Sequence, residues 1–428
     1  MKIAMVSGHA SPLAAARADG TGDQNVHVAE LAAALVRRGH SVTVYTRRDS
    51  MRLHWEQMLP NGVGLVNVDA GPPRTVLKEK ILPFIPEFAD RLADLWSEGA
   101  PDVVHGHFWM SGVACIEAVG RLQDRGIDPP VVAETFHALG TIERRHQDRE
   151  DTSPPERKIL EPWVARSVDR VIATSPDEAF ELRRLGAHRQ RISVAPRGVD
   201  TELFTPDGPA RPRGQRFRLA TIGRLVRGKG VDTVIEALAL LARTGRKDVE
   251  LLVVGGPVAK DRVASDPEAR RLRDLAASRG VGGQVIFAGQ VPHEAMPELM
   301  RSLDAVVCCP SFEGLGVVPL EAMATGVPTV VADVGGLADA TVDGVTGLHV
   351  PPRDPRALAT AISRLADDPQ LRARLGEAGL QCARSKHTWD HVAADTEWIY
   401  YDMRDNWARP EPDVVRSRLR LRRVEEGA

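Results

Sequence analysis

Two carboxylates in a glycine-rich segment mark where this sequence could do chemistry. Glu313 and Glu321, with seven residues between them, lie in the stretch Pro310–Pro328, PSFEGLGVVPLEAMATGVP. The apolar run Ala305–Cys309 before it predicts a strand, and a helix is expected to open near Val318 and stop at Gly326-Val327-Pro328. A strand that turns through glycines into a helix aims backbone N–H groups and a positive dipole end at whatever lies outside the turn. That is a site for phosphate or another anion. Carboxylates do not attract phosphate, so Glu313 and Glu321 are read as partners for hydroxyl groups on the same ligand. Phosphates in the middle and hydroxyls at both ends describe a nucleotide-sugar.

A second anion site stands upstream. Thr221 to Gly230 reads TIGRLVRGKG, with Arg224 and Lys229 between Gly223 and Gly230 just ahead of a predicted helix. Cations and a helix N-terminus act together on a diphosphate. Near the start, the strand Lys2–Ser7 runs through Gly20-Thr21-Gly22-Asp23-Gln24-Asn25 into a helix over Val26–Arg38 and a strand over Ser41–Thr46. This is a βαβ unit whose glycines let backbone approach a ligand. The strand from Asp102 enters an aromatic turn, Gly106-His107-Phe108-Trp109-Met110, and Phe136-His137-Ala138 closes the strand Val131–Thr135. His107 and His137 thus stand at C-terminal strand ends, where such sheets bind ligands. Each ring could equally satisfy nearby backbone groups.

The elements that position these residues alternate. Strands are expected at Val63–Val68, Val168–Thr174 and Ile192–Ala195, with a helix over Pro86–Trp96. After a Pro- and Gly-dense linker, Pro196 to Gly214, strands follow at Arg218–Ile222, Val249–Val254, Val285–Ala288, Thr329–Ala332 and near Gly347–Val350. Helices are expected at Val231–Ala242, around Pro267–Arg279 and at His293–Ser302. Strand–helix alternation predicts parallel, doubly wound sheets, and proline-rich punctuation marks a domain junction. The expected organisation is residues 1–200, residues 201–386 and a charged tail over 411–428.

Composition excludes several classes. A 428-residue chain with formal net charge -2 has no basic field for nucleic acid. Four cysteines, Cys115, Cys308, Cys309 and Cys382, show no metal spacing and fit a reducing cytoplasm. The start does not read as a signal peptide, and no apolar run reaches the roughly 20 residues of a bilayer span. No Asp-x-Asp segment follows a predicted strand to hold a metal. Self-association as a homodimer is left open.

Gly223-Arg224-Leu225 with Lys229-Gly230, followed by Glu-x7-Glu, resembles the GT-B retaining glycosyltransferases of family 4 over nearly the whole chain. The resemblance implies two Rossmann-like domains facing a cleft, with a C-terminal helix over His387–Asn406 crossing back on Trp389, Trp398, Tyr400, Tyr401 and Trp407. It further implies that Arg224 and Lys229 hold the diphosphate, Glu321 the ribose and Glu313 the donor sugar. Backbone of Gly314, Leu315, Gly316 and Val317 would complete the contacts. His137 would lie beside the sugar, and Gly22 and Asp23 would close over it. The implied chemistry is metal-independent: the diphosphate oxygen takes the acceptor proton while cations stabilise the leaving group. No cofactor is expected beyond the nucleotide-sugar, and the sequence does not separate UDP from GDP.

Within that family the first domain looks most like mycothiol-pathway enzymes that transfer N-acetylglucosamine to inositol phosphate. Gly22 with Asn25-Val26, Ala70-Gly71-Pro72, Lys78 and Arg157 carry that likeness, and His107 falls in the same acceptor region. Phe108 and Ala138 stand where the resemblance implies tyrosine and threonine. Two hydroxyl donors are therefore missing, each worth about 1.5–3 kcal/mol to a charged partner. The departures point to another small soluble acceptor, in a specialised route such as antibiotic or thiol-conjugate assembly. The alternatives are the inositol phosphate transfer itself, a peripheral-membrane glycan or lipid mannosyltransferase, and a non-catalytic nucleotide-sugar-binding module. The membrane reading has only Arg144-Arg145-His146 and the tail Arg416–Arg423 to offer, and both read better as solvated faces.

Overall fold

The computed structural model describes residues 1–12, 23–147, 153–257, 265–314 and 316–405. Two sheets carry the chain. The first has eight strands: β1 (Lys2–Val6), β2 (Ser41–Arg47), β3 (Glu56–Met58), β4 (Gly64–Val68), β5 (Val103–His107), β6 (Val131–Thr135), β7 (Arg170–Ala173) and β8 (Ile192–Val194). Their order is β3-β4-β2-β1-β5-β6-β7-β8, all parallel except for the short β3, which pairs antiparallel with β4. The second sheet holds β9 (Phe217–Ile222), β10 (Val249–Val254), β11 (Val285–Gly289), β12 (Ala305–Cys308), β13 (Thr329–Ala332) and β14 (Gly347–Val350). Its order is β11-β10-β9-β12-β13-β14.

Both sheets are buried on both faces because their strands are apolar on both faces. In β1, Ala4 and Val6 join one cluster while Ile3 and Met5 join the opposite one, as a side-chain period of two requires. In β10, Val249, Leu251 and Val253 face one cluster and Leu252 and Val254 the other. Helix starts are set locally: Asp266, Asp354 and Asp368 each accept from a first-turn N–H and precede a proline at the first helical position.

The C-terminal helix Trp389–Asp405 packs on the first sheet's side. Trp389, Val392 and Tyr400 share a buried cluster with Ile3 and Leu31, and Arg170 binds Asp402 at 2.6 Å. Two of its expected apolar anchors point the other way: Trp398 is 66% and Tyr401 44% exposed. One face of this helix is buried and they fall on the other; Trp407 lies outside the described residues, as does the tail. The aromatic turn after β5 is also shorter than expected. Strand hydrogen bonding continues through His107, only Phe108 turns, at φ 78°, and a helix runs Trp109–Asp124. The helix expected at His293–Ser302 splits into a 3-10 turn, His293–Ala295, and Met296–Met300.

Glu134 of β6 is fully buried, and neither carboxylate oxygen has a hydrogen-bond partner among the described residues. Gly106 and Gly112 make room for it; a Cβ on Gly106 would lie 2.2 Å from Oε2. Burial pushes the Glu134 carboxyl well above its ordinary pKa, and Glu161 adds to the rise. The stability of the protonated acid is therefore complete below the unfolded pKa and is lost as pH rises through the folded one. Glu134→Gln keeps the shape without the titration. It is expected to melt above wild type at about pH 8 and to show no gain at about pH 4 in thermal denaturation.

Candidate active site

Each sheet reverses its strand order beside its first strand, between β1 and β5 and between β9 and β12. Crevices outside the carboxyl ends of such strands are where open α/β sheets bind ligands. The turns that follow β5, β9 and β12 sit at these two points, whereas Gly20, Thr21 and Gly22 lie outside the described residues. Residues from both halves, including Ser175, Arg197, Gly314, Gly316 and Gly336, line one cleft. Phe312, on the second half, packs against the first half's core.

In the second half the two anion turns touch. Lys229 Nζ donates to Glu313 Oε2 in a short ion pair, the side chains 27% and 21% exposed, and Ser311 N donates to Gly228 O at 2.8 Å. Gly230 is what allows this approach. Its φ is 74°, and a Cβ there would lie 1.7 Å from Cys309 O. Gly223, at φ 150°, likewise lies against Gly255, where a Cβ would lie 1.8 Å from Gly223 O. Arg224 is exposed on the same turn. Gly316 and Val317 open the helix Val317–Ala324, and Gly314 lines the cleft; Leu315 lies outside the described residues. Glu321 is buried, with Oε1 3.8 Å from His293 Nδ1. His293 follows the edge strand β11, and a lone histidine after a proline carries no signal in the sequence.

In the first half, Lys78, Phe108, Ala138 and Arg157 come together, while Asn25 and His107 lie elsewhere. The Phe108 ring lies between two cations, Lys78 Nζ at 5.3 Å and Arg157 Cζ at 5.2 Å from its centroid. Arg157 Nη2 donates to Ala138 O at 2.8 Å. Lys78 is exposed, whereas Arg157 is enclosed and already bound to Glu161 at 2.8 Å, Glu143 at 2.6 Å and Ser153 Oγ at 3.0 Å. His9 packs edge-on to Phe108 at 4.8 Å, another contact the sequence did not announce. Burial lowers its pKa to about 3, with Lys78 adding to the drop.

His137 is buried at φ 62°, and its Nε2 meets His107 Nδ1 at 3.0 Å. His107 has no exposed surface, so it faces His137 rather than the cleft. His105 beneath them binds Tyr400 Oη at 2.7 Å and Thr135 Oγ1 at 2.9 Å. Asn25 is buried on the helix Asp23–Arg37, and Gln24 there donates to His107 O at 3.1 Å. Gly22 and the side chain of Asp23 lie outside the described residues. Burial holds His105 at about 3 and His107 and His137 well below the ordinary histidine pKa, so these rings are neutral near pH 7.

Two doubly wound sheets facing a shared cleft, with glycine-rich turns meeting at the second sheet's switch point, have the architecture of a GT-B glycosyltransferase. Residues 24–203 match the family described as Glycosyltransferase Family 4, and residues 209–381 the family described as Glycosyl transferases group 1. The chain belongs to this glycosyltransferase family. It is 35% identical over 416 residues to a D-inositol 3-phosphate glycosyltransferase of Acidothermus cellulolyticus, covering 94% of this chain and 90% of the relative. A second D-inositol 3-phosphate glycosyltransferase, from Kribbella flavida, is 35% identical over 93% of this chain and 95% of its own length. Among solved structures, a sucrose-phosphate synthase from Thermosynechococcus elongatus superposes with a TM-score of 0.79 at 27% identity, covering 94% and 98% of the two chains. An Anabaena protein solved with UDP and glucose has the same fold, with a TM-score of 0.69 at 17% identity, covering 94% and 99%. No helix among the described residues is long and apolar enough to cross a membrane.

Proposed function

We propose that the chain moves a hexose-type sugar from a nucleoside diphosphate sugar, with retention, onto a small soluble acceptor in the cytoplasm. The observation that carries this reading is the meeting of the Lys229 and Glu313 turns at the β9–β12 switch point. An incoming diphosphate is stronger competition for Lys229 than Glu313 is. It takes Lys229 and Arg224, together with the N–H groups at Gly316 and Val317, and frees Glu313 for sugar hydroxyls. Glu321, beside His293, suits the ribose. His137 stands where the sugar would lie, and Gly22, Asp23 and Leu315 complete the enclosure. The bond from the anomeric carbon to the phosphate oxygen breaks, the bond to the acceptor forms on the same face, and that phosphate oxygen takes the acceptor proton. The cations and helix N-terminus stabilise the departing charge, and no metal is needed for that step.

Thermal denaturation with UDP, GDP and ADP tests the donor site. One nucleotide is expected to stabilise by about 2.7 kcal/mol at a hundred times its Kd. No shift with any of them overturns the reading.

Inositol phosphate is the second reading for the acceptor. The names of the relatives and the presence of Lys78, Asn25 and Arg157 favour it. Phe108 and Ala138 offer no hydroxyl to a phosphate, and Arg157 is already held by two carboxylates. We therefore place a different small acceptor against Lys78 and the Phe108 ring. Phe108→Tyr with Ala138→Thr is expected to raise kcat/KM for inositol phosphate by roughly tenfold or more per restored hydrogen bond. No gain removes the acceptor argument.

A further inference from the structure

Three histidines from three separate elements meet beneath the cleft. His27 stands on the helix Asp23–Arg37, His107 ends β5 and His137 follows β6. One ring nitrogen from each lies within 4.8 Å of those of the other two. His107 Nδ1 and His137 Nε2 are 3.0 Å apart, and the His27 ring stands edge-on to His137 with centroids at 4.9 Å. The residues are 4%, 0% and 7% exposed, so the cluster is enclosed. Trp389 flanks His27 at 5.4 Å, and His105 lies 4.2 Å from His107 on the far side.

Hydrogen bonding joins His107 Nδ1 to His137 Nε2 and leaves one nitrogen on each of the three rings unpartnered. His27 Nδ1, His107 Nε2 and His137 Nδ1 are all buried without a hydrogen-bond partner among the described residues. Each unmade bond leaves the desolvation penalty of that atom uncompensated. On His107 and His137 these are the nitrogens opposite the 3.0 Å contact, the position a hydrogen-bonding partner outside the coordination sphere takes when the inner nitrogens hold a metal. Arg197 stands close enough to His27 and His137 for its charge to act on both rings. Three clustered imidazole nitrogens are a ligand set for zinc and its neighbours in the first transition row.

We infer that His27, His107 and His137 form a three-nitrogen site for a divalent transition metal of the zinc type, enclosed between the helix Asp23–Arg37 and the carboxyl ends of β5 and β6. Tetrahedral zinc–nitrogen geometry separates ligand atoms by roughly 3.3 Å. The 3.0 Å pair is already near that spacing, and ring rotation about χ2 closes the rest. Arg197 opposes a cation, which sets this site below carboxylate-containing ones in affinity. The site shares His137 with the proposed transfer step. A metal there would occupy His137 and withdraw it from the sugar, so binding is expected to inhibit turnover; that consequence rests on the proposed function, while binding itself does not.

The test uses the full chain without a histidine tag, stripped with chelator and dialysed against micromolar zinc or cobalt. Wild type is expected to retain one metal per chain by elemental analysis, to melt at a higher temperature with zinc, and to give the intense visible bands of tetrahedral cobalt. His27→Phe and His27→Gln are expected to weaken binding by roughly 100-fold or more, since even outer-shell losses cost 10- to 100-fold. His391→Ala, which removes an exposed histidine, is expected to bind as wild type does. Substoichiometric retention by wild type, or equal retention in a folded His27 variant, overturns the site and leaves a buried water as the occupant. If neither His27 variant folds, the wild-type cobalt spectrum decides: weak octahedral bands overturn the site. Zinc inhibition relieved by His27→Gln supports the consequence for turnover. Failure of every nucleotide-sugar to turn over counts against the proposed function and leaves the binding result standing.

Discussion

Lys229→Ala is expected to lower kcat by roughly 100- to 1000-fold, the loss typical when one preorganised donor to a developing negative charge is removed. The fold should barely register the change. Lys229 and Glu313 are each about a quarter exposed, so their ion pair contributes about 0–1 kcal/mol to stability and the melting temperature should move by a few degrees at most. The effect on chemistry is large because the substitution acts twice. It removes a cation from the departing diphosphate, and it leaves Glu313 as an uncompensated negative charge beside the same oxygens. Lys229→Ala/Glu313→Gln should therefore recover part of the loss, which a purely additive pair would not. Single-turnover rates with the stabilising nucleotide's sugar measure both. Wild-type kcat in Lys229→Ala would sink the assignment of the diphosphate site.

Much of this site was legible because its signals are local. Glycines, cations and a helix start within ten residues of a strand report an anion turn whatever surrounds them, and the expected strands at Val131–Thr135, Val249–Val254 and Gly347–Val350 coincide with β6, β10 and β14. The parts that escaped depend on distance. The Lys229–Glu313 pair joins residues 84 apart, and its existence follows from β9 and β12 being neighbours, an order the sequence does not print. His27 looked like one residue of an amphipathic helix until β5 and β6 brought two more rings beneath it. The strand β3 escaped because Glu56–Met58 is short and mostly exposed at the sheet edge. Trp398 and Tyr401 misled for the opposite reason: aromatic residues suggested burial, but helical periodicity places them on the open face.

Arg157 is the residue whose role the structure changes most, and its replacement carries the largest expected cost in stability. Its guanidinium ties together the end of β6 through Ala138 O, the helix Gly140–Gln147 through Glu143, and its own helix through Glu161, with one face on Phe108. Glu161 depends on it. Burial raises the Glu161 carboxyl, and Arg157 and the N–H of Gly140 oppose that rise. Arg157→Met leaves this acid enclosed with Gly140 N as its remaining counterweight, a loss of about 3–5 kcal/mol and a fall in melting temperature on the order of 10 °C. The pH dependence has a definite sign. Without the guanidinium the folded pKa of Glu161 stands further above its unfolded value, so the variant's deficit is smallest below the ordinary carboxylate range and widens as pH rises. Arg157→Met/Glu161→Met removes both charges and should recover most of the stability, because a matched apolar pair can replace a buried ion pair at little cost. The double variant then separates the two roles open to Arg157. Restored stability with wild-type KM for the acceptor makes it a strut beneath Phe108; restored stability with a raised KM makes it a ligand for the acceptor as well.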